Sequence, residues 1–325
     1  MLTIRRLSLA LLALVPVGAL AVVAGCGSSL SSSGSASAGA LNVVATTTQL
    51  GDFVRAVGGD RVRVAQVLQP NSDPHAYEPR PADVNALLHA PLVFESGDKL
   101  DAWMAKVVGA SGGHPRVVTL ADANVTRLPG GTSGPDASRY DPHWWHDPRN
   151  VEAAIPLIRA ALSSANPSAA AVYARNARAY LGRLRRLDAG IAACMRRVPA
   201  AQRKLVTNHD AFGYFARRYG IDVIGAVIPS QTTEAQPSAG EVAQLVETIR
   251  RQHVHAVFPE SSLNAKLARA IARETGASAG YTLYGDTLGP AGSDGATYLR
   301  MERHNADAMV RGFTAGRRGC AIAGV

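Results

Sequence analysis

One run of apolar residues constrains the fold of this chain more than any other feature. Tyr173, Ala177, Tyr180, Leu184, Leu187, Ile191 and Cys194 follow one another in alternating steps of four and three, which is the buried stripe of a single long helix. Asn166-Pro167 supplies a cap residue and a first-turn proline, and Pro199 ends the pattern. Arg175, Arg178, Arg183, Arg185 and Arg186 mostly take the other faces. Some thirty residues at 1.5 Å each span about 45 Å, the length of a whole domain. Gly182 and Gly190 weaken the helix without breaking its period.

On both sides of this helix, short β-branched runs alternate with helical patterns. Before it the expected strands are Asn42–Thr46, Val62–Leu68, Leu92–Glu95 and Val117–Leu120, with helices at Gln49–Val57, Arg80–His89 and Leu100–Val108. After it come strand Lys204–Thr207, helix Ala211–Tyr219, strand Asp222–Val227, helix Ser238–Gln252, strand Ala256–Pro259, helix Ala265–Thr275, strand Ala277–Leu283 and a closing helix from Tyr298. Such alternation predicts parallel sheets. The expected architecture is α/β, with two parallel-sheet lobes (41–165 and 200–325) joined by one long helix (166–199). A connection of that kind allows small rocking and opposes wide opening.

The first forty residues belong to export. Arg5 and Arg6 precede an apolar run from Leu7 to Ala24, which ends in Val23-Ala24-Gly25-Cys26. This is the pattern of a bacterial lipoprotein leader over 1–25, with Cys26 as the lipidated residue of the mature chain. Pro16, Gly18 and the polar flank argue against a membrane-spanning helix. The arginine pair partly matches a twin-arginine signal, so the export route stays open between the two general systems. From Gly27 to Ala40 the chain is almost entirely Ser, Gly and Ala, a tether with an r.m.s. reach of roughly 20 Å.

Export also decides how the charge is read. The formal net charge of +9 would fit nucleic acid, but an exported chain does not meet it, and no basic stretch is interleaved with aromatics. The charge is expected to be a solvated surface, attracted to an anionic membrane. With Cys26 lipidated, Cys194 and Cys320 remain. In an oxidising compartment they form a candidate disulfide, with two separate thiols as the alternative.

The chemistry gathers on histidines in loops. Asp73-Pro74-His75 and Asp141-Pro142-His143 repeat one tripeptide, and Asn208-His209-Asp210 follows a strand. Asp286 follows the expected strand Ala277–Leu283. Ligands of open α/β sheets bind at the carboxyl ends of strands, and two of these residues come from each lobe, so a shared cleft is expected. Three neutral imidazoles and one carboxylate suit tetrahedral zinc. Asp73 and Asp141 are read as acids that orient imidazoles. His146, three residues after His143, is a candidate neighbour of the metal. His89, His253, His255 and His304 are given no role.

The stretches Asn42-Val-Val-Ala-Thr-Thr-Thr, Gly58-Gly-Asp-Arg-Val, Asp73-Pro-His-Ala-Tyr-Glu-Pro, Asp141-Pro-His-Trp-Trp-His-Asp-Pro, His209-Asp-Ala-Phe-Gly-Tyr-Phe and Thr233-Glu-Ala-Gln-Pro-Ser resemble the zinc/manganese solute-binding lipoproteins of ABC transporters, in order and over nearly all of the body. By position, His75, His143, His209 and Asp286 match the metal ligands of that family. Histidine at the third position resembles its zinc-type members, where manganese-type members tend to carry glutamate. The resemblance implies a monomeric binding protein that is anchored by lipid outside the cell membrane. It captures Zn²⁺ as cargo, with Mn²⁺ as the alternative, and passes it to a permease driven by an ATPase.

Two departures stand out. The His- and acid-rich loop common in zinc-type members is missing, since Gly109–Tyr140 holds only His114, and His146 replaces a usually apolar residue. A tethered zinc hydrolase is disfavoured because no His-Glu-x-x-His pattern occurs and Glu234 and Glu260 are only distant candidates for a base. A surface adhesin with a merely stabilising metal is the remaining alternative. The chain is expected not to be an enzyme.

Overall fold

The computed structural model describes residues 39–131 and 137–324. The expected leader, the lipidation residue Cys26 and nearly all of the tether lie outside the described residues. No helix among the described residues is long and apolar enough to cross a membrane.

The first lobe runs β1 (Leu41–Ala45), α1 (Thr48–Gly58), β2 (Val62–Gln66), α2 (Pro81–Leu88), β3 (Leu92–Glu95), α3 (Met104–Ser111) and β4 (Arg116–Thr119). All four strands are parallel, in the order β2-β1-β3-β4. Central β1 is apolar on both faces because helices cover both. Val43 and Ala45 enter the main core with Phe53 of α1, whereas Val44 packs with Leu87 and Met104 under α2 and α3. The Thr47 hydroxyl caps α1 by accepting the Leu50 N–H at 3.3 Å. Helix α3 begins at Met104, four residues later than expected. Gly97, Asp98 and Lys99 take left-handed backbone conformations, and the Asp101 carboxylate accepts the N–H groups of Ser96 and Gly97, so these residues are spent on a turn.

Two helices then connect the lobes, α4 (Pro148–Ala165) and α5 (Ala170–Arg196). Asp147 caps α4 by accepting the Arg149 N–H, with Pro148 in the first turn. Asn166 closes α4 by donating to Leu162, and a single 3₁₀ turn over Pro167–Ala169 precedes α5. The long helix therefore starts after its expected cap. All seven residues of its apolar stripe are buried. Cys194 near its end is bonded to Cys320, with Cα atoms 5.5 Å apart. Closing a loop with a sequence separation of 126 residues stabilises by roughly 5 kcal/mol in the chain-entropy view. Gly190 has no side chain to obstruct Ile322, so the C-terminal segment lies flat on α5.

The second lobe contains β5 (Lys204–His209), α6 (Gly213–Tyr219), β6 (Asp222–Ile228), α7 (Ala239–Gln252), α8 (Lys266–Thr275) and α9 (Tyr298–Phe313). β5 and β6 pair in parallel. The segments 256–259 and 277–283, expected as strands, are extended but join the sheet only through single parallel bridges, Thr207 to Phe258, Ala256 to Ser278 and Glu260 to Leu283. Phe258 donates to Val206 on one side and Val257 to Ser278 on the other. Pro259 has no N–H for the next rung, which interrupts the ladder. One continuous core runs from Leu50 and Phe53 through Trp144, Trp145 and Leu187 to Phe258 and Phe313. The lobes thus share a packed interior along α5 and α9.

Candidate metal centre

His75, His143, His209 and Asp286 converge, each with one ligand atom within 4.8 Å of all the others. The elements that carry them end at one place. His75 lies in the loop after β2, His143 at the turn that leads into α4, His209 at the last position of β5, and Asp286 just past the bridge at Leu283. His143, His209 and Asp286 are fully buried. His75 borders a cavity of about 800 Å³ that is also lined by Tyr77, Asp98, Trp103, Gln231 and Glu234. The loop of Asp286 is held from both lobes. Trp145 Nε1 donates to the Gly285 carbonyl at 3.3 Å, and the Asn305 side chain bonds both backbone groups of Tyr284.

Two imidazoles are braced by buried carboxylates in the same way. Asp141 Oδ1 accepts the His143 backbone N–H at 3.0 Å and faces its Nδ1 at 2.7 Å. Glu260 Oε1 accepts the His209 backbone N–H at 3.0 Å and faces its Nδ1 at 2.8 Å. An ionised carboxylate only accepts, so each Nδ1 carries a proton and each Nε2 is left with a lone pair when the ring is neutral. The two Nε2 atoms stand 3.4 Å apart, each 3.3 Å from an Asp286 oxygen. His75 Nε2 is 3.7 Å from Asp286. Neither Asp286 oxygen nor His75 Nε2 has a hydrogen-bond partner among the described residues. Lone pairs and a carboxylate facing one point need a cation between them, whether a proton or a metal.

The ionisation of the site follows from these contacts. Burial lowers His143, but Asp141 and Asp286 overcome it and hold the imidazole at about 9. His209 is likewise held well above the ordinary histidine value, burial being overcome by Glu260 and Asp286. His75 is pushed down to about 3 by burial, against the pull of Asp286. Burial alone would raise Asp286, but His209, followed by His143 and His75, keeps it well below the usual carboxylate range.

The other candidate residues fall in different places. Asp73 accepts the His75 backbone N–H at 3.0 Å, but its second oxygen takes the Thr233 hydroxyl at 2.6 Å rather than the imidazole. His146 is buried and stacks on Phe212 at 4.3 Å, with Nδ1 2.8 Å from Glu302. It makes no hydrogen bond to the four converging residues. Sequence reasoning missed Glu260 as the brace of His209. Its signal was position, because it follows the segment 256–259 at the same end of the sheet as His209 and Asp286.

The fold and this cluster define a metal-binding protein of the two-lobed solute-binding class. The family model described as "Zinc-uptake complex component A periplasmic" matches residues 43–312, and the chain belongs to that family. The iron-binding protein YfeA of Yersinia pestis is 32% identical over 271 residues, covering 83% of this chain and 86% of that protein. The manganese-binding lipoprotein MntA of Bacillus subtilis is 32% identical over 294 residues, covering 88% and 94%. The structure of the periplasmic zinc-binding protein TroA from Treponema pallidum superposes with a TM-score of 0.77 at 30% identity, over 85% of this chain and 99% of that one. The chain is thus a metal ABC transporter substrate-binding protein and not an enzyme.

Proposed function

We propose that this protein captures Zn²⁺ outside the cell membrane and delivers it to an ABC permease and its ATPase, with His75, His143, His209 and Asp286 as the four ligands. The observation that carries the reading is the spacing of the donor atoms. Zinc with ligands about 2.05 Å away in a tetrahedron places those ligands about 3.3–3.4 Å apart. The two Nε2 atoms stand 3.4 Å apart, each is 3.3 Å from a different Asp286 oxygen, His75 Nε2 is 3.7 Å from Asp286, and the four ligand atoms lie within 4.8 Å of one another, so small shifts of the loops would close them on one such ion. Three imidazoles also favour zinc over manganese, which prefers more oxygen ligands. In this reading residues 1–25 are the leader, lipid on Cys26 and the segment 26–40 tether a monomeric body, and the lobes 41–165 and 200–325 meet about the helix 166–199.

Capture then involves no bond chemistry. The cation arrives through the cavity beside His75, and the protons that His143 and His209 hold in the free protein leave as Nε2 takes the metal. The continuous core along α5 limits the accompanying motion to small shifts of the loops. Manganese is the second reading, favoured by the relatives whose names specify it. Competitive calorimetry of zinc and manganese on the metal-stripped full chain tests both. Tight zinc binding at one site, undisplaced by excess manganese, is expected. A preference for manganese would overturn the choice of metal, and binding of neither would overturn the site.

A further inference from the structure

We infer that Glu260 is the positioning residue that makes His209 a metal ligand and biases the site towards zinc; the inference rests on the four-ligand reading above. Glu260 reaches His209 through the sheet. Thr207 of β5 bridges Phe258 in parallel, so two residues further along each segment His209 and Glu260 come side by side. The carboxylate is fixed from its own backbone as well, because Leu283 donates to Pro259 and Ser261 donates to Leu283 on either side of it. Gly285, next to the ligand Asp286, leaves space that Glu260 Oε2 occupies, since a Cβ there would collide with that oxygen. Glu260 is therefore wedged between two ligand-bearing segments of the second lobe.

Glu260 is 2% exposed; among the described residues its Oε2 has no hydrogen-bond partner and its ionic partner is His209. Burying a carboxylate this way is costly, and an apolar residue of similar volume would serve packing at least as well. What the carboxylate supplies is a fixed tautomer and a fixed ring orientation. One oxygen binds both the backbone N–H and Nδ1 of His209, which fixes ring rotation and directs the Nε2 lone pair at Asp286 and His143. A nitrogen donor held in position matters more to zinc, which imidazole suits, than to manganese, which oxygen ligands suit.

The test compares Zn²⁺ and Mn²⁺ affinities of the metal-stripped full chain for wild type, Glu260→Gln and His209→Ala. Glu260→Gln is expected to weaken zinc by about 10–100-fold and manganese by less than about tenfold, so that the selectivity ratio falls. ¹⁵N-edited NMR of the zinc-loaded wild type should show His209 protonated on Nδ1 with Nε2 on the metal. Loss of zinc binding in His209→Ala, with Glu260→Gln unchanged for both metals, would sink this inference and leave the ligand set standing. An unaffected His209→Ala would sink the ligand set itself. If Glu260→Gln does not melt cooperatively, the wild-type tautomer decides, and a proton on Nε2 or metal on Nδ1 would overturn the assignment.

Discussion

The two Asp-Pro-His tripeptides share a sequence and a backbone contact, and differ in everything else that matters to the metal. In each, the aspartate accepts the N–H of the histidine two residues on, at 3.0 Å. Asp141 then also reaches the ring of His143 at 2.7 Å, whereas Asp73 turns its free oxygen to Thr233 of the other lobe. The braced histidine is fully buried, and the unbraced one borders the cavity. One tripeptide thus braces its own histidine ring and the other makes a contact between the lobes, because different neighbours compete for the same carboxylate.

The largest effect that could break this comparison is loss of a ligand. Apparent zinc-binding energies of about 10–16 kcal/mol shared among four ligands give about 2.5–4 kcal/mol each, from under a hundredfold to several hundredfold in affinity. His143→Ala is expected to cost at least that much, and His75→Ala less, because its ring is not preorganised. Calorimetry of both variants checks this, and a greater loss at His75 would reverse the assigned roles. Next in size, Asp141→Asn should weaken zinc by about 10–100-fold, while Asp73→Asn changes equilibrium affinity by less than about fivefold, since it leaves the imidazole uncontacted. Equal losses in the two variants would erase the distinction.

Acidity separates the two histidines in opposite directions. For His143, held at about 9 against an ordinary value near 6.5, the folded state binds its proton more tightly than the unfolded state does. Its stabilising contribution is therefore complete below pH 6.5 and lost as pH rises towards 9. For His75, pushed down to about 3, the unfolded state binds the proton more tightly, so stability is lost as pH falls from 6.5 towards 3. The melting temperature of the metal-free chain should fall on both sides of neutrality. Asp141→Asn should shrink the alkaline limb to the part that His209 contributes and spare the acid limb. The smallest effect belongs to Thr233→Val, which removes one hydrogen bond of about 1 kcal/mol and should quicken zinc release to a chelator a few-fold in stopped flow, with the same substitution leaving the response to Asp141→Asn intact.

Local sequence was enough for much of this. Hydrophobic period placed α5, and the alternation of elements indicated parallel sheets, since each signal depends only on neighbours a few residues apart. The same locality explains why Asp141 was legible as an orienting acid, being two residues from its histidine. Glu260 was not legible, because it lies 51 residues from His209 and becomes its neighbour only through the bridge between β5 and the segment 256–259. Expected strands at 256–259 and 277–283 failed for a related reason, as a β-branched run shows extension but not whether every rung finds a partner.

By itself, then, the order of residues determined the α/β class, the helix between the lobes and which histidines stand in loops at strand ends. Only the tertiary structure decided which carboxylate faces which imidazole, and it sent His146 to Glu302 and Asp73 to Thr233. Those pairings depend on side chains from distant segments arriving within 3 Å. Hydrogen-bond geometry is selective at that scale, and residue type alone does not set it.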